Sequence, residues 1–222
     1  MGSQGVLGIT LAAVALVAAC SKGDDDSASI DTVAPATSQR APGPITPAPC
    51  KQNRHMVVFD FNGTLTDSDQ DAIRWATDPQ AEPDARPGAS DLVTAYRQHG
   101  YEIMYVTGFP AETMIAGQPV GEAYMGWLER HGFPPDGSQV NTVTSGKPAE
   151  LSGELVALAG QGVKVDVAYT NNVDQVESYE TGGITKVFGL GDAARASGAT
   201  PVSNDDLAAR VPAVKAEPRI CS

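Results

Sequence analysis

Met56-Val57-Val58-Phe59-Asp60-Phe61-Asn62-Gly63-Thr64-Leu65-Thr66 is the stretch on which the reading of this 222-residue chain turns. Its first half is an apolar run that ends at an aspartate, the pattern of a strand buried on both faces of a parallel sheet. Gly63 and its turn-forming neighbours end the run, and a glycine there lets the backbone turn sharply and approach a ligand closely.

Reading outward, Ser90 to Gly100 has helical spacing of Leu92, Val93 and Tyr96, with Ser90 as the expected cap and Gly100 as the stop. Tyr101 to Val106 reads as a second buried strand. Val120 to His131 follows as a helix closed by Gly132, then Val140 to Thr144 as a short strand. Pro148 to Ala159 is helical in pattern, weakened by Gly153. Val163 to Tyr169 is a strand, Val173 to Thr181 a helix and Ile184 to Leu190 a last strand. Strands alternating with helices over short connections predict an α/β fold, a Rossmann-like parallel sheet with helices on both faces.

Active sites of such sheets form at the carboxyl ends of the strands. There stand Asp60 after the first strand, Thr107-Gly108 after the second, Lys147 at a helix start after the third, and Thr170-Asn171-Asn172-Val173-Asp174 after the fourth. The chemistry this permits is phosphoryl transfer through an aspartyl intermediate, with Asp60 attacking phosphorus. Asp60 and Asp174 are the expected carboxylate ligands of Mg²⁺, a hard ion suited to oxygen donors. Thr107 and Lys147 are expected to give hydrogen bonds and charge to the phosphoryl oxygens, with Thr64, Gly63 and Gly108 lining the substrate site.

Asp60 to Leu65 resembles the first motif, Asp-x-Asp-x-Thr, of the haloacid dehalogenase (HAD) superfamily, and Thr107, Lys147 and Asp174 fall in order at its later motifs. The resemblance covers about residues 55–190. A narrower likeness, carried by Asp60 to Asp69, Gly100 to Pro110, and Asn171, Asp174 and Tyr179, is to the lipin-type domain. That domain also ends certain phosphatidylinositol-transfer proteins. Lipins dephosphorylate phosphatidic acid, whereas the transfer-protein versions are thought to bind it without hydrolysis. Roughly 45 residues separate Asp60 from Thr107, which leaves no room for a large cap domain. An open site of this kind suits a bulky phosphate ester, a phospholipid head group or a protein.

One departure stands out. Family phosphatases carry a second Asp at the position of Asn62, which protonates the leaving group and then activates water. An amide does neither, and positioned acid–base catalysis contributes about 10²–10⁴-fold. The resemblance implies that the metal is served here by the backbone carbonyl of Asn62, so the metal site should survive. Two functions follow: a slow Mg²⁺-dependent phosphate-ester hydrolase, in which Asp67 or Asp69 is a candidate substitute acid, or a catalytically impaired module that binds phospholipid head groups or a protein. A phosphotransferase or dehalogenase-type hydrolase is a weaker third; Lys147 and Asp174 argue for phosphate over halide, because a carbon centre needs no Mg²⁺.

The rest of the chain bears on location. An uncharged apolar run from Val6 to Ala19 ends at Val17-Ala18-Ala19-Cys20, which resembles a bacterial lipobox, although no Lys or Arg precedes it. Residues 1–19 are then a signal peptide and Cys20 the lipidated first residue, an anchor to the membrane of the bacterial cell envelope. Residues 20–51, rich in Asp, Ser, Pro and Thr, read as a flexible tether, and residues 52–222 as the folded domain. Cys50 and Cys221 flank that domain; a bridge between them, worth roughly 2–5 kcal/mol, and two unpaired thiols are equally open readings.

A composition of 41% hydrophobic and 19% charged residues supports one sizeable core. The net charge of −12 disfavours nucleic acid as a partner. Oligomeric state is not readable. His55, His99 and His131 lack metal-ligand spacing, and the last two sit at helix ends before glycine. Trp75 and Trp127 read as packing or surface anchors, and Asp67, Asp69 and Asp71 as a solvated acidic loop with helix-start character.

Overall fold

A continuous apolar run places one strand inside the sheet, and the rest of the fold is arranged around it. In a computed structural model, which describes residues 54–134, 138–142 and 148–220, that strand is Arg54–Asp60 (β1). It is followed by helices Asp69–Thr77 (α1) and Ala89–Gln98 (α2), strand Glu102–Thr107 (β2), a two-residue-per-strand hairpin Met114–Ile115 (β3) and Gln118–Pro119 (β4), and helix Val120–Arg130 (α3). Strand Ser138–Thr142 (β5), helix Pro148–Gly160 (α4), strand Val163–Thr170 (β6), helix Val173–Thr181 (α5) and strand Lys186–Gly189 (β7) come next. Ala199–Pro201 (β8) and Val211–Ala216 (α6) close the chain.

The sheet order is β5-β2-β1-β6-β7-β8, every pairing parallel. β1 lies between β2 and β6, with Phe59 opposite Tyr105 on one side and Tyr169 on the other. Successive residues of a strand face opposite ways. Val57 and Phe59 therefore join one core with Tyr96, Tyr124 and Trp127, while Met56 and Val58 join a second with Leu155, Val176 and Tyr179. The expected α/β architecture with both faces covered is what forms.

The differences are local. α1 is a full helix where only an acidic loop was expected: Ser68 caps it by accepting from the Asp71 N–H at 3.2 Å, and Ala72 and Trp75 bury its inner side. α2 begins behind Gly88, at φ +78°, so Ser90 lies inside the helix rather than capping it. Both tryptophans are core residues, and Trp127 Nε1 donates to the Pro83 carbonyl at 2.7 Å. β8 and α6, beyond the last predicted strand, extend the sheet edge and cover α2; Val214 and Leu207 are buried there. Among the described residues there is no cap domain, and no helix is long and apolar enough to cross a membrane. Cys20, Cys50 and Cys221, with the leader, tether and bridge read from them, lie outside the described residues.

Two glycines make the packing testable. A Cβ on Gly189, at the end of β7, would collide with the Ala193 carbonyl and lie 2.7 Å from the Ala194 nitrogen. Gly153, inside α4, faces open space. Denaturant unfolding should show Gly189→Ala destabilised by about 2–3 kcal/mol and Gly153→Ala stabilised by about 0.5–1 kcal/mol.

Candidate functional site

The loop that leaves β1 is anchored by an aromatic side chain. Phe61 stacks on Tyr124 with ring centroids 3.7 Å apart and meets Trp127 edge-on at 4.7 Å. Pulling Phe61 inward turns its neighbours Asp60 and Asn62 toward the carboxyl edge of the sheet. Gly63, at φ +65°, completes the turn, and its N–H donates to Thr66 Oγ1 at 2.9 Å. A Cβ at Gly63 would collide with the Asn171 amide and stand 2.6 Å from Asp69 Oδ1, so only glycine admits these two side chains over the loop.

The loop is held from outside by Arg86. Its guanidinium donates to the carbonyls of Gly63 at 2.8 Å, Thr64 at 3.1 Å, Thr66 at 3.3 Å and Asp67 at 2.8 Å. Its own N–H donates to the Leu65 carbonyl at 2.7 Å. One planar fork thus satisfies carbonyls that a tight turn would otherwise leave to water.

Asp60 is the buried charge of the site, only 4% exposed. Tyr179 Oη donates to Oδ1 and Thr170 Oγ1 to Oδ2. With the Gln175 amide turned so that its NH₂ faces the carboxylate, it donates to both oxygens, 2.6 Å from Oδ1. Burial pushes the Asp60 carboxyl up from 3.8 to about 7; the Thr170 and Tyr179 hydroxyls restrain the rise, and the Asp69 charge adds to it. Burial likewise holds Tyr179 well above the usual phenol range, with the Asp60 carboxylate acting in the same direction, so it remains a donor.

Asn62 is held as firmly. Its Oδ1 accepts from Tyr124 Oη at 2.9 Å and from Thr107 Oγ1 at 3.3 Å, which leaves the amide nitrogen as the end these hydroxyls do not engage. Thr107 is buried, committed to Asn62 and to the Phe109 N–H at 3.3 Å. Thr64 is buried too, 3.4 Å from Asn171 Oδ1.

These groups border an open cleft of about 530 Å³ lined by Asp60, Asn62, Asp69, Gly108, Asn171 and Gln175 among others. Asp174, expected beside Asp60 as a metal ligand, is exposed on α5 and does not line the cleft. Asn172 caps that helix by accepting from the Asp174 N–H at 2.9 Å, and the cap leaves Asn171, not Asp174, on the cleft side. Lys147 lies outside the described residues. Asp69, Asn171, Gln175, Tyr124 and Arg86 were not singled out for these roles from the sequence; only Asp69, weighed there as a substitute acid, and Asn171, quoted in a motif, left a signal.

The donors fit a hard divalent cation. Asp60 and Asp69 bring two carboxylates, Asn171 an amide oxygen, and Gly63 the space for both neighbours, although among the described residues no three His, Cys, Asp or Glu side chains form a ready-made site. No Lys, Arg or His of the described residues lines the cleft, so an anionic ligand there would face two carboxylates with nothing to offset them.

Comparison with known proteins agrees with this fold. The family model for the LNS2 domain of PITM 1-3 matches residues 57–191. A Mesorhizobium loti protein assigned as a HAD-like phosphatase superposes with a TM-score of 0.53 at 16% identity, covering 79% of this chain and 91% of its own. A D,D-heptose 1,7-bisphosphate phosphatase from B. bronchiseptica, whose structure holds magnesium and phosphate, superposes with a TM-score of 0.51 at 14% identity, covering 72% of this chain and 97% of its own. No curated protein matches the chain in sequence.

Two outcomes test the site's energetics. Because the folded Asp60 holds its proton more tightly than the unfolded chain does, its contribution to stability is fully present below about pH 4 and is lost as pH rises through about 7. Asp60→Asn removes that decline. In the absence of divalent cation, urea unfolding should show the variant gaining on the native protein between pH 5 and pH 8, by at most about 4 kcal/mol over the full titration. Arg86→Ala should cost about 2 kcal/mol and Arg86→Lys nearly as much, because an ammonium cannot serve four carbonyls at once.

Proposed function

The chain belongs to the LNS2 domain family on the HAD-like phosphatase fold, and from that premise we propose that it is a Mg²⁺-dependent phosphate-ester hydrolase, slowed by Asn62. The observation that carries the reading is Asp60: a carboxylate 4% exposed, at the end of the central strand, facing a cleft with no cationic side chain among its described lining. Burying a charge is costly, and a fold keeps one at such a place for chemistry or ligation.

Asp60 would attack phosphorus and carry the phosphoryl group as an aspartyl phosphate. Thr170 and Tyr179 hold the carboxylate in one orientation from below, which confines attack to the cleft side. Mg²⁺, held by Asp60, the backbone oxygen of Asn62 and the oxygens beside Asn171, would supply the positive charge that the phosphoryl oxygens need. Lys147, which precedes α4 in the sequence and lies outside the described residues, is the proposed cation for the transferring group, and Thr64, Gly63 and Gly108 are the proposed substrate contacts.

Asn62 occupies the acid–base position as an amide, so leaving-group protonation and water activation both lose their usual agent. The consequence is an ester hydrolase that works best on good leaving groups and releases phosphate slowly. The open cleft is compatible with a bulky ester such as phosphatidic acid, and a lipid anchor at Cys20 would put the domain at the cell envelope beside such substrates. A second reading rests on a specific observation: both Asp60 oxygens are already engaged by Tyr179, Thr170 and Gln175, as suits a module that binds a phosphorylated head group without turnover.

Phosphate release by the full-length chain with Mg²⁺, on phosphatidic acid in micelles and on a panel of soluble monoesters, separates the two. Hydrolysis predicts release that disappears in Asp60→Asn and rises about 10²–10⁴-fold in Asn62→Asp. Equal silence of the native chain and Asp60→Asn, with no gain from Asn62→Asp, would leave the binding module.

A further inference from the structure

Nine residues after the nucleophile, α1 begins with Asp69. Side chains in a helix lean toward its N-terminus, and Asp69 accordingly leans back over the loop that follows β1. Its Oδ1 stands 2.6 Å from where a Gly63 Cβ would be, and its Oδ2 accepts from Asn171 Nδ2 at 3.0 Å. Asn171 is fixed in turn by Thr64 Oγ1, 3.4 Å from its Oδ1. A carboxylate on the surface of a helix start is ordinarily free to point at water. This one is held over the cleft by a side chain from the opposite strand end, β6, at the position where Gly63 leaves room for both.

We propose that Asp69, positioned by Asn171, is the second carboxylate ligand of the divalent cation in this cleft, in the role that the order of motifs would give to Asp174. The inference rests on the Mg²⁺ reading above and adds to it which side chain completes the site. Asp60 and Asp69 line one cleft whose described residues include no cationic side chain, so a bound cation would offset the two negative groups there. Asp174 is exposed at the start of α5 and does not line that cleft. A set of two carboxylates with an amide oxygen nearby leaves the remaining positions to water, as Mg²⁺ prefers.

Calorimetric titration of the full-length chain with MgCl₂ alone, with thermal melts to establish folding, tests this without reference to turnover. Asp69→Asn should weaken Mg²⁺ binding by about tenfold or more, as Asp60→Asn does, while Asp174→Asn binds as the native chain does. Asn171→Ala should weaken binding less than Asp69→Asn, since it loosens the ligand without removing it. Native affinity in Asp69→Asn, with binding lost in Asp60→Asn or in Asp174→Asn, would overturn the role of Asp69 and leave the Mg²⁺ reading standing. Absence of Mg²⁺ binding by the native chain would overturn both. If Asp69→Asn unfolds, Asp69→Glu, which keeps the charge but moves it by one methylene, decides by the same criterion.

Discussion

A carboxylate kept almost wholly out of water at the end of the central strand sets the terms for the rest of this protein. Left alone it would be neutral or would unfold its surroundings. Here it is offset by donors from β6 and α5: the Thr170 hydroxyl, the Tyr179 phenol and the Gln175 amide. These three come from one continuous stretch, so the register of β6 against β1 and the start of α5 must both be right for Asp60 to be tolerated. Burial still pushes the carboxyl up to about 7, so the donors compensate its burial only in part. What remains is an affinity for positive charge, and a cation in the cleft would satisfy it.

The surroundings are arranged in two tiers. Aromatic packing of Phe61 against Tyr124 and Trp127 aims the loop, and the same Tyr124 reaches past the ring stack to hold Asn62. Arg86 then fastens the carbonyls of the loop from its outer side. An apolar contact decides direction and a charged fork decides shape. The hairpin of β3 and β4 lies against α1 and α3 without forming a cap, so the cleft stays open to large ligands. On the function proposed above, openness and the amide at position 62 would make the site better at engaging a phosphate ester than at releasing phosphate.

Much of this was legible from the chain itself. Continuous apolar runs marked β1 and β2, as strands buried on both faces do, and α5 was read to its observed bounds. The loop after β1 was readable because an aspartate ends the buried run and Gly63 is needed for the positive φ of the turn. What escaped was set by tertiary contact. α1, Asp-Gln-Asp-Ala-Ile-Arg-Trp-Ala-Thr, buries only Ala72 and Trp75, too few for a periodic signal. Arg86 and Gln175 act through neighbours distant in sequence, and nothing local distinguishes them from solvated residues. Asp174 was expected in the cleft because it stands at the right place in a motif. Spacing alone does not say which side of a loop-to-helix junction a side chain takes, and Asp174, in the first turn of α5, does not line the cleft.

The central claim is that Asp60 is the atom-bearing partner in phosphoryl transfer and that Asn62 delays its release. Intact-mass analysis after incubating the full-length chain with Mg²⁺ and acetyl phosphate, whose leaving group needs no acid, addresses both halves at once. The account predicts that the mass of one phosphoryl group appears on Asp60, accumulates because no base activates water, and is removed by hydroxylamine as an acyl phosphate is. An unmodified Asp60 under conditions where Mg²⁺ is shown to bind, or a phosphoryl group found on any other residue, would contradict it.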